Sequence, residues 1–243
     1  MTKVISADGT FIAYERFGSD GHLAPRVPAI AYDRRGDWTV QREIEDLAAL
    51  IETAGGSAAV YGHSSGAALA LHAAAAGLPI TKLILHEPPF TPARDGEDQH
   101  RLEATEDESA HEQATAIRAL LAQGRKAEAI AAFLAPTGMP QQMVEQMSND
   151  AAVQAVAHTL PHDPFEVVSA RSRGGATPAE QAATVTIPTL LLCGGDSFPW
   201  MIETGAQLAA AMPGGRHHVM PGRQHVAAPQ VPASVPADFL VSS

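Results

Sequence analysis

Apolar and polar positions alternate in two rhythms along the chain. The short β-rich runs Val4-Ile5 and Phe11 to Phe17, on either side of Asp8-Gly9, predict an antiparallel hairpin closed by a tight turn. Val27 to Tyr32 is a further apolar run. After Asp33-Arg34-Arg35-Gly36 the period lengthens: Ile44, Leu47, Ala48 and Ile51 recur at i, i+3, i+4 and i+7. Thr39 stands where an N-cap belongs, and Glu43 and Glu45 occupy the first turn, where the macrodipole favours acid. Gly55-Gly56 ends that helix. Ser57 to Tyr61 reads as a strand, Ser64 to Ala76 as an Ala-rich helix stopped by Gly77 and Pro79, and Lys82 to His86 as a strand. Strands that are apolar throughout and separated by helices predict a parallel sheet covered on both faces.

The rhythm changes after Pro88-Pro89. From Thr91 to about Thr184 the pattern is helical, with capping boxes expected at Ser109/Glu112 and at Thr177/Glu180, the latter with Pro178 at the first helical position. Met139, Met143 and Met147 recur every fourth residue, as in a helix packing down on its neighbours. Ile187 to Cys193 resumes as a buried strand, Met201 to Met212 as a helix and Arg216 to Met220 as a strand. The expected fold class is α/β: a mostly parallel sheet with helices on both faces, formed by residues 1–90 and 185–243, with 91–184 inserted as a helical lid.

Composition narrows the function classes. In 243 residues, 16 basic side chains face 27 acidic ones, and the longest basic run is Arg34-Arg35, so a polyphosphate backbone or an anionic membrane would be repelled. With no apolar leader at the N-terminus and no run approaching the roughly 18 apolar residues of a spanning helix, a cytoplasmic protein is expected. The lone Cys193 fits a reducing compartment and makes no metal pattern. His217-His218 are strand neighbours pointing to opposite faces, so no metal site is expected there either. No cofactor is implied.

The chemistry-bearing motif is Gly62-His63-Ser64-Ser65-Gly66, set between a strand and a helix. In that context G-x-S-x-G is a nucleophile elbow: a sharp turn lifts the serine hydroxyl above the sheet and aims a helix N-terminus, with the Ser65 N–H, at the point where an oxyanion forms. A serine needs a base, and the base needs an orienting carboxylate. Asp196 ends Leu190-Leu191-Leu192-Cys193-Gly194-Gly195-Asp196, and His225 ends Gly222-Arg223-Gln224-His225, both just past strands on the sheet edge where ligands bind in open α/β sheets. Ser64, Asp196 and His225 form the expected triad. Glu87, at the end of a strand beside the elbow strand, is the alternative acid, although Pro88 argues for an extended backbone there. Phe90, Phe198 and Trp200 flank strand ends and are candidates to line an acyl pocket, or simply core.

Tyr32-Asp33-Arg34-Arg35-Gly36, the elbow, His86-Glu87-Pro88-Pro89-Phe90, Gly194-Gly195-Asp196 and Gly222-Arg223-Gln224-His225 together resemble the α/β-hydrolase superfamily, in particular its bacterial esterase-like members and cofactor-independent haloperoxidases. The resemblance implies Ser64 as nucleophile, the Ser65 N–H as one oxyanion donor, Asp196 as acid and His225 as base, acting on a small or medium apolar ester or lactone. One βα unit of the family is missing. Nine residues separate Phe17 from Val27, whereas a crossover between parallel strands takes about a dozen or more. The missing unit normally supplies the second oxyanion N–H, whose loss typically costs about a hundred- to a thousand-fold in kcat. Because unpaired ladder groups are costly, strand 27–32 is expected to shift inward beside the elbow strand, bringing the loop Asp33 to Asp37 where the oxyanion loop normally lies, with its backbone N–H groups, or Arg34, as surrogate oxyanion donors. The rival reading is a non-catalytic binding protein that keeps the elbow as architecture. A free sheet edge would also permit a homodimer.

Overall fold

The computed structural model describes residues 2–17, 28–35, 39–93, 99–137, 139–225 and 234–241. The expected hairpin forms from β1 (Thr2–Ile5) and β2 (Phe11–Phe17), with Gly9 at φ +86° and the Asp8 carboxylate accepting from the Thr10 N–H at 3.0 Å. β3 (Ala29–Tyr32) pairs antiparallel with β2 and completes a three-stranded sheet. A second sheet is fully parallel, in the order β4 (Ala58–His63), β5 (Ile80–His86), β6 (Thr189–Gly194) and β7 (Gly215–Met220).

Strand alternation divides the core. On one face Leu83, Leu85 and Leu191 pack with α1 (Val40–Thr53), α2 (Ser65–Ala75) and α8 (Pro199–Ala211). On the other, Ile84, Leu190, Leu192 and Met220 are capped by Phe239 of α9 (Ser234–Val241). Lys82 fastens α9 by donating from Nζ to the carbonyls of Phe239 and Leu240, last-turn groups that lack helical partners. Ala67, Ala68, Ala70 and Ala73 give α2 a small-residue surface that buries completely.

Between β5 and β6 the chain is helical: α3 (Gln99–Ala122), α4 (Lys126–Leu134), α5 (Gln141–Asn149), α6 (Ala151–Val156) and α7 (Pro178–Ala183). The Thr177/Glu180 capping box is present with both of its hydrogen bonds. Ser109, by contrast, lies in the middle of α3, so the expected box there is corrected: the helix starts ten residues earlier, at Gln99, and runs through that position. Met139 and Met147 pack against the small cluster of Ile130, Leu134 and Ala157, which these helices build for themselves.

The inward shift of β3 does not occur. β3 keeps its place on β2, and among the described residues β4 has no strand on its outer edge. That edge is tolerable because it is wet: Ala59 is exposed and Tyr61 is 48% exposed, so water reaches groups that would be costly only if buried. The two sheets are held together instead through α1. Ile12 and Tyr14 of β2 pack on Leu50, and Arg16 donates from Nη2 to the Thr53 carbonyl at 2.8 Å. Arg35, whose side chain is 3% exposed, binds Asp46 of α1 through two hydrogen bonds and Asp8 of the hairpin turn through two more, the shorter at 2.6 Å. The guanidinium holds the Asp8 carboxyl well below its usual range.

Removing Arg35 leaves the Asp46 carboxylate buried without its partner. Arg35→Ala is expected to lose about 3–5 kcal/mol of unfolding free energy, read as a lower midpoint in a urea titration. An unchanged midpoint contradicts the docking role given to this residue.

Candidate active site

The described non-glycine residues with positive φ are Ser64, at +54°, and Glu87, at +50°. They occupy equivalent positions. His63 and His86 are register partners on the parallel strands β4 and β5, and the next residue of each strand turns out of the sheet at its C-terminal edge. The Ser64 N–H still donates to the His86 carbonyl at 2.9 Å and the Glu87 N–H to the Leu192 carbonyl at 3.0 Å, so both strained residues remain tied to the ladder. Strain held in place in this way is characteristic of functional positions.

The elbow at Ser64 needs glycine on one side only. A Cβ at Gly62 would lie 2.2 Å from the Gly66 carbonyl oxygen, whereas one at Gly66 meets nothing within 4 Å. α2 begins at Ser65, whose N–H therefore has no intrahelical acceptor and points out of the helix N-terminus.

Glu87 carries the carboxylate that meets the imidazole. Its Oε2 lies 2.5 Å from His225 Nδ1, and its Oε1 accepts from the Gly194 N–H at 2.7 Å. Glu87 is fully buried and His225 partly so. The expectation for Asp196 is corrected here: its side chain is exposed, and its backbone N–H donates to the Arg223 carbonyl at 2.8 Å, bracing the loop that carries His225. Gly194 contributes to the same brace, since a Cβ there would stand 2.4 Å from the Arg223 carbonyl oxygen. Nor is Glu87 extended before Pro88. Its left-handed backbone turns the carboxylate back toward His225, and that single dihedral is what the sequence pattern did not carry.

A carboxylate on Nδ1 fixes the tautomer: Nδ1 keeps its proton and Nε2 keeps a lone pair, the arrangement that accepts a proton from a hydroxyl. His63 supports the loop, its Nε2–H donating to the His225 carbonyl at 3.0 Å. The ring of Phe198 lies 6.3 Å from that of His225 and stacks on Trp200 at 6.2 Å, so Trp200 stands one ring away from the imidazole. Phe90 is 2% exposed and belongs to the core, its ring 5.1 Å from the Arg173 guanidinium carbon. One possible ligand atom each of His63, Glu87 and His225 lies within 4.8 Å of the others, a spacing open to a metal ion, while Glu87 and His225 pair with each other and His63 binds the His225 carbonyl. No described helix is long and apolar enough to cross a membrane.

Residues 9–240 match the alpha/beta hydrolase family. The chain belongs to it. An alpha/beta hydrolase from Sphaerobacter thermophilus is 36% identical, with 98% of this chain and 100% of that one covered at a TM-score of 0.79. More distant structures share the fold: a thermophilic esterase from Thermogutta terrifontis, at 19% identity, 98% and 97% coverage and TM-score 0.69, and a putative non-heme bromoperoxidase from Mycobacterium tuberculosis, at 17%, 94% of each chain and 0.57. No curated sequence matches this chain.

The electrostatics of this hydrolase site follow from burial and pairing. Burial pushes the Glu87 carboxyl up, but hydrogen bonds from His225, the Gly194 N–H and Ser197 outweigh it, and the net direction is down. Glu87 is therefore a carboxylate at neutral pH. Desolvation lowers His63, and desolvation with the neighbouring His63 lowers His86 to about 4; His86 also pairs through Nδ1 with the Tyr61 hydroxyl at 2.7 Å.

These shifts give a signed pH dependence. Between about 6.5 and 4 the unfolded chain binds more protons at His86 than the folded one, so stability is full above 6.5 and falls as pH drops through that window. Glu87, lowered from 4.5, adds a loss that begins only near 4.5 and continues below it. Melting temperature against pH should fall across both windows, and His86→Gln should make the upper one shallower, with the other lowered histidines His63, His72 and His217 keeping the remainder; an unchanged upper slope in that variant contradicts the assignment. Gly62→Ala is expected to abolish activity or folding while Gly66→Ala folds, read by thermal melting. Equal behaviour of the two variants contradicts the close approach at Gly62.

Proposed function

We propose that this protein is a serine hydrolase of the esterase type, cleaving a small or medium apolar carboxylic ester or lactone through an acyl-enzyme. The observation that carries the reading is the Glu87–His225 pair at 2.5 Å beside a strained Ser64 on the neighbouring strand. In this reading Ser64 Oγ attacks the carbonyl carbon, and its proton passes to His225 Nε2. The carbonyl oxygen becomes an oxyanion at the N-terminus of α2, received by the Ser65 N–H. Collapse expels the alcohol, which takes the proton back from His225; water then repeats the sequence and frees Ser64. Glu87 stays ionised throughout, orienting the imidazole and stabilising its charged form. Phe198 and Trp200 supply apolar surface next to His225.

A peroxide-dependent halogenating activity would use the same three residues and is separated by assay. That no described strand flanks the outer edge of β4 favours the non-catalytic rival, because in the family the unit at that place supplies the second oxyanion N–H. The ordered acid, base and serine favour the enzyme.

Hydrolysis of p-nitrophenyl butyrate tests the assignment. Glu87→Gln should lower kcat by about 10⁴-fold, as loss of the orienting carboxylate does in serine hydrolases, while Asp196→Asn stays within a few-fold of the wild type. The reverse ranking returns the acid role to Asp196, and activity unaffected by Ser64→Ala removes the serine mechanism altogether.

A further inference from the structure

Among the described residues, one side chain reaches from the loop after β3 to the start of α2. Arg34, in the loop after β3, grips Glu43 of α1 with a two-pronged ion pair, Nε to Oε1 at 2.7 Å and Nη2 to Oε2 at 2.8 Å. Its remaining nitrogen, Nη1, donates to Ser65 Oγ at 3.2 Å. Ser65 is the residue after Ser64 and opens α2, so a fixed positive charge stands at the helix N-terminus, and no described strand pairs with the outer edge of β4 beside it.

Resting on the Ser64 esterase reading, we propose that Arg34 is the second oxyanion donor, a charged side chain in the role the family gives to a backbone N–H. In this role the Ser65 hydroxyl occupies Nη1 until substrate arrives. When Ser64 Oγ bonds to the ester carbon, the carbonyl π pair moves onto oxygen, and Nη1 turns its hydrogen bond from Ser65 Oγ to that oxygen. Arg34 gives up no proton; the Ser64 proton goes to His225 and then to the leaving alcohol. The geometry suits the task for two reasons. The Glu43 fork, 7% exposed, fixes the guanidinium plane before substrate arrives, so little reorganisation is left to pay for. The donor is also a full positive charge, so it adds a direct attraction to the developing oxyanion alongside the hydrogen bond from the Ser65 N–H.

The experiment compares wild type, Arg34→Ala and Arg34→Lys on p-nitrophenyl butyrate, with thermal melting of each and with millimolar methylguanidinium added to the alanine variant. The expected result is a fall in kcat of about 10²–10³-fold with KM little changed in Arg34→Ala, partial activity in Arg34→Lys, and recovery by methylguanidinium. Two results overturn the proposal while leaving the esterase reading intact. One is an alanine variant as active as wild type. The other is loss of activity that methylguanidinium does not restore and that follows a lowered melting temperature, which assigns Arg34 to the Glu43 ion pair alone. Wild type that melts cooperatively yet does not hydrolyse the ester overturns the esterase reading, and the Arg34 role falls with it.

Discussion

The parallel pairing of β4 with β5 is the constraint on which the site depends. It sets Ser64 and Glu87 one step beyond register partners, so that two turns out of the same sheet edge deliver a hydroxyl and a carboxylate side by side. The loop that carries His225 to Glu87 is pinned by Asp196, Gly194 and His63. Each of these pins lands on the backbone of the loop, which is why a distant loop can be held to the accuracy that proton transfer requires. Both positive-φ residues are paid for by ladder hydrogen bonds that continue through the strained positions.

The second constraint is the short connection between β2 and β3. Nine residues between Phe17 and Val27 cannot carry a crossover strand and helix, and the result is a core divided into two sheets. Cohesion passes from a continuous ladder to side chains: Arg35 between Asp46 and Asp8, Arg16 on Thr53, Ile12 and Tyr14 on Leu50. The same pressure places Arg34 against Ser65. The short connection before β3 thus coincides with a guanidinium reaching the N-terminus of α2 beside the elbow.

Most of this was legible in the sequence where the signal is local. The hairpin at Asp8-Gly9, the elbow with its flanking strand and helix, the Thr177 capping box and the missing βα unit all rest on patterns a few residues long, and their boundaries shift by only a few residues in the structure. Two expectations failed where the outcome depends on something nonlocal. Asp196 and Glu87 both follow strands at the same edge, and the choice between them rests on one backbone dihedral at Glu87, which Pro88 argued against. The fate of the gap depended on whether the free edge of β4 is buried or wet, and no local pattern states the exposure of Ala59 and Tyr61. Phe198 was read as a strand-end aromatic like Phe90; its contact with His225 emerges only once α8 and the His225 loop are packed together.

The central claim is that Ser64 is activated by His225 held on Glu87. Incubation of the purified protein with a fluorophosphonate probe, followed by intact mass and peptide mapping, tests it most directly. The account predicts a single covalent adduct on Ser64 that disappears when His225 is replaced by alanine. A cooperatively folded wild type that takes no label, or one labelled at another residue, contradicts it.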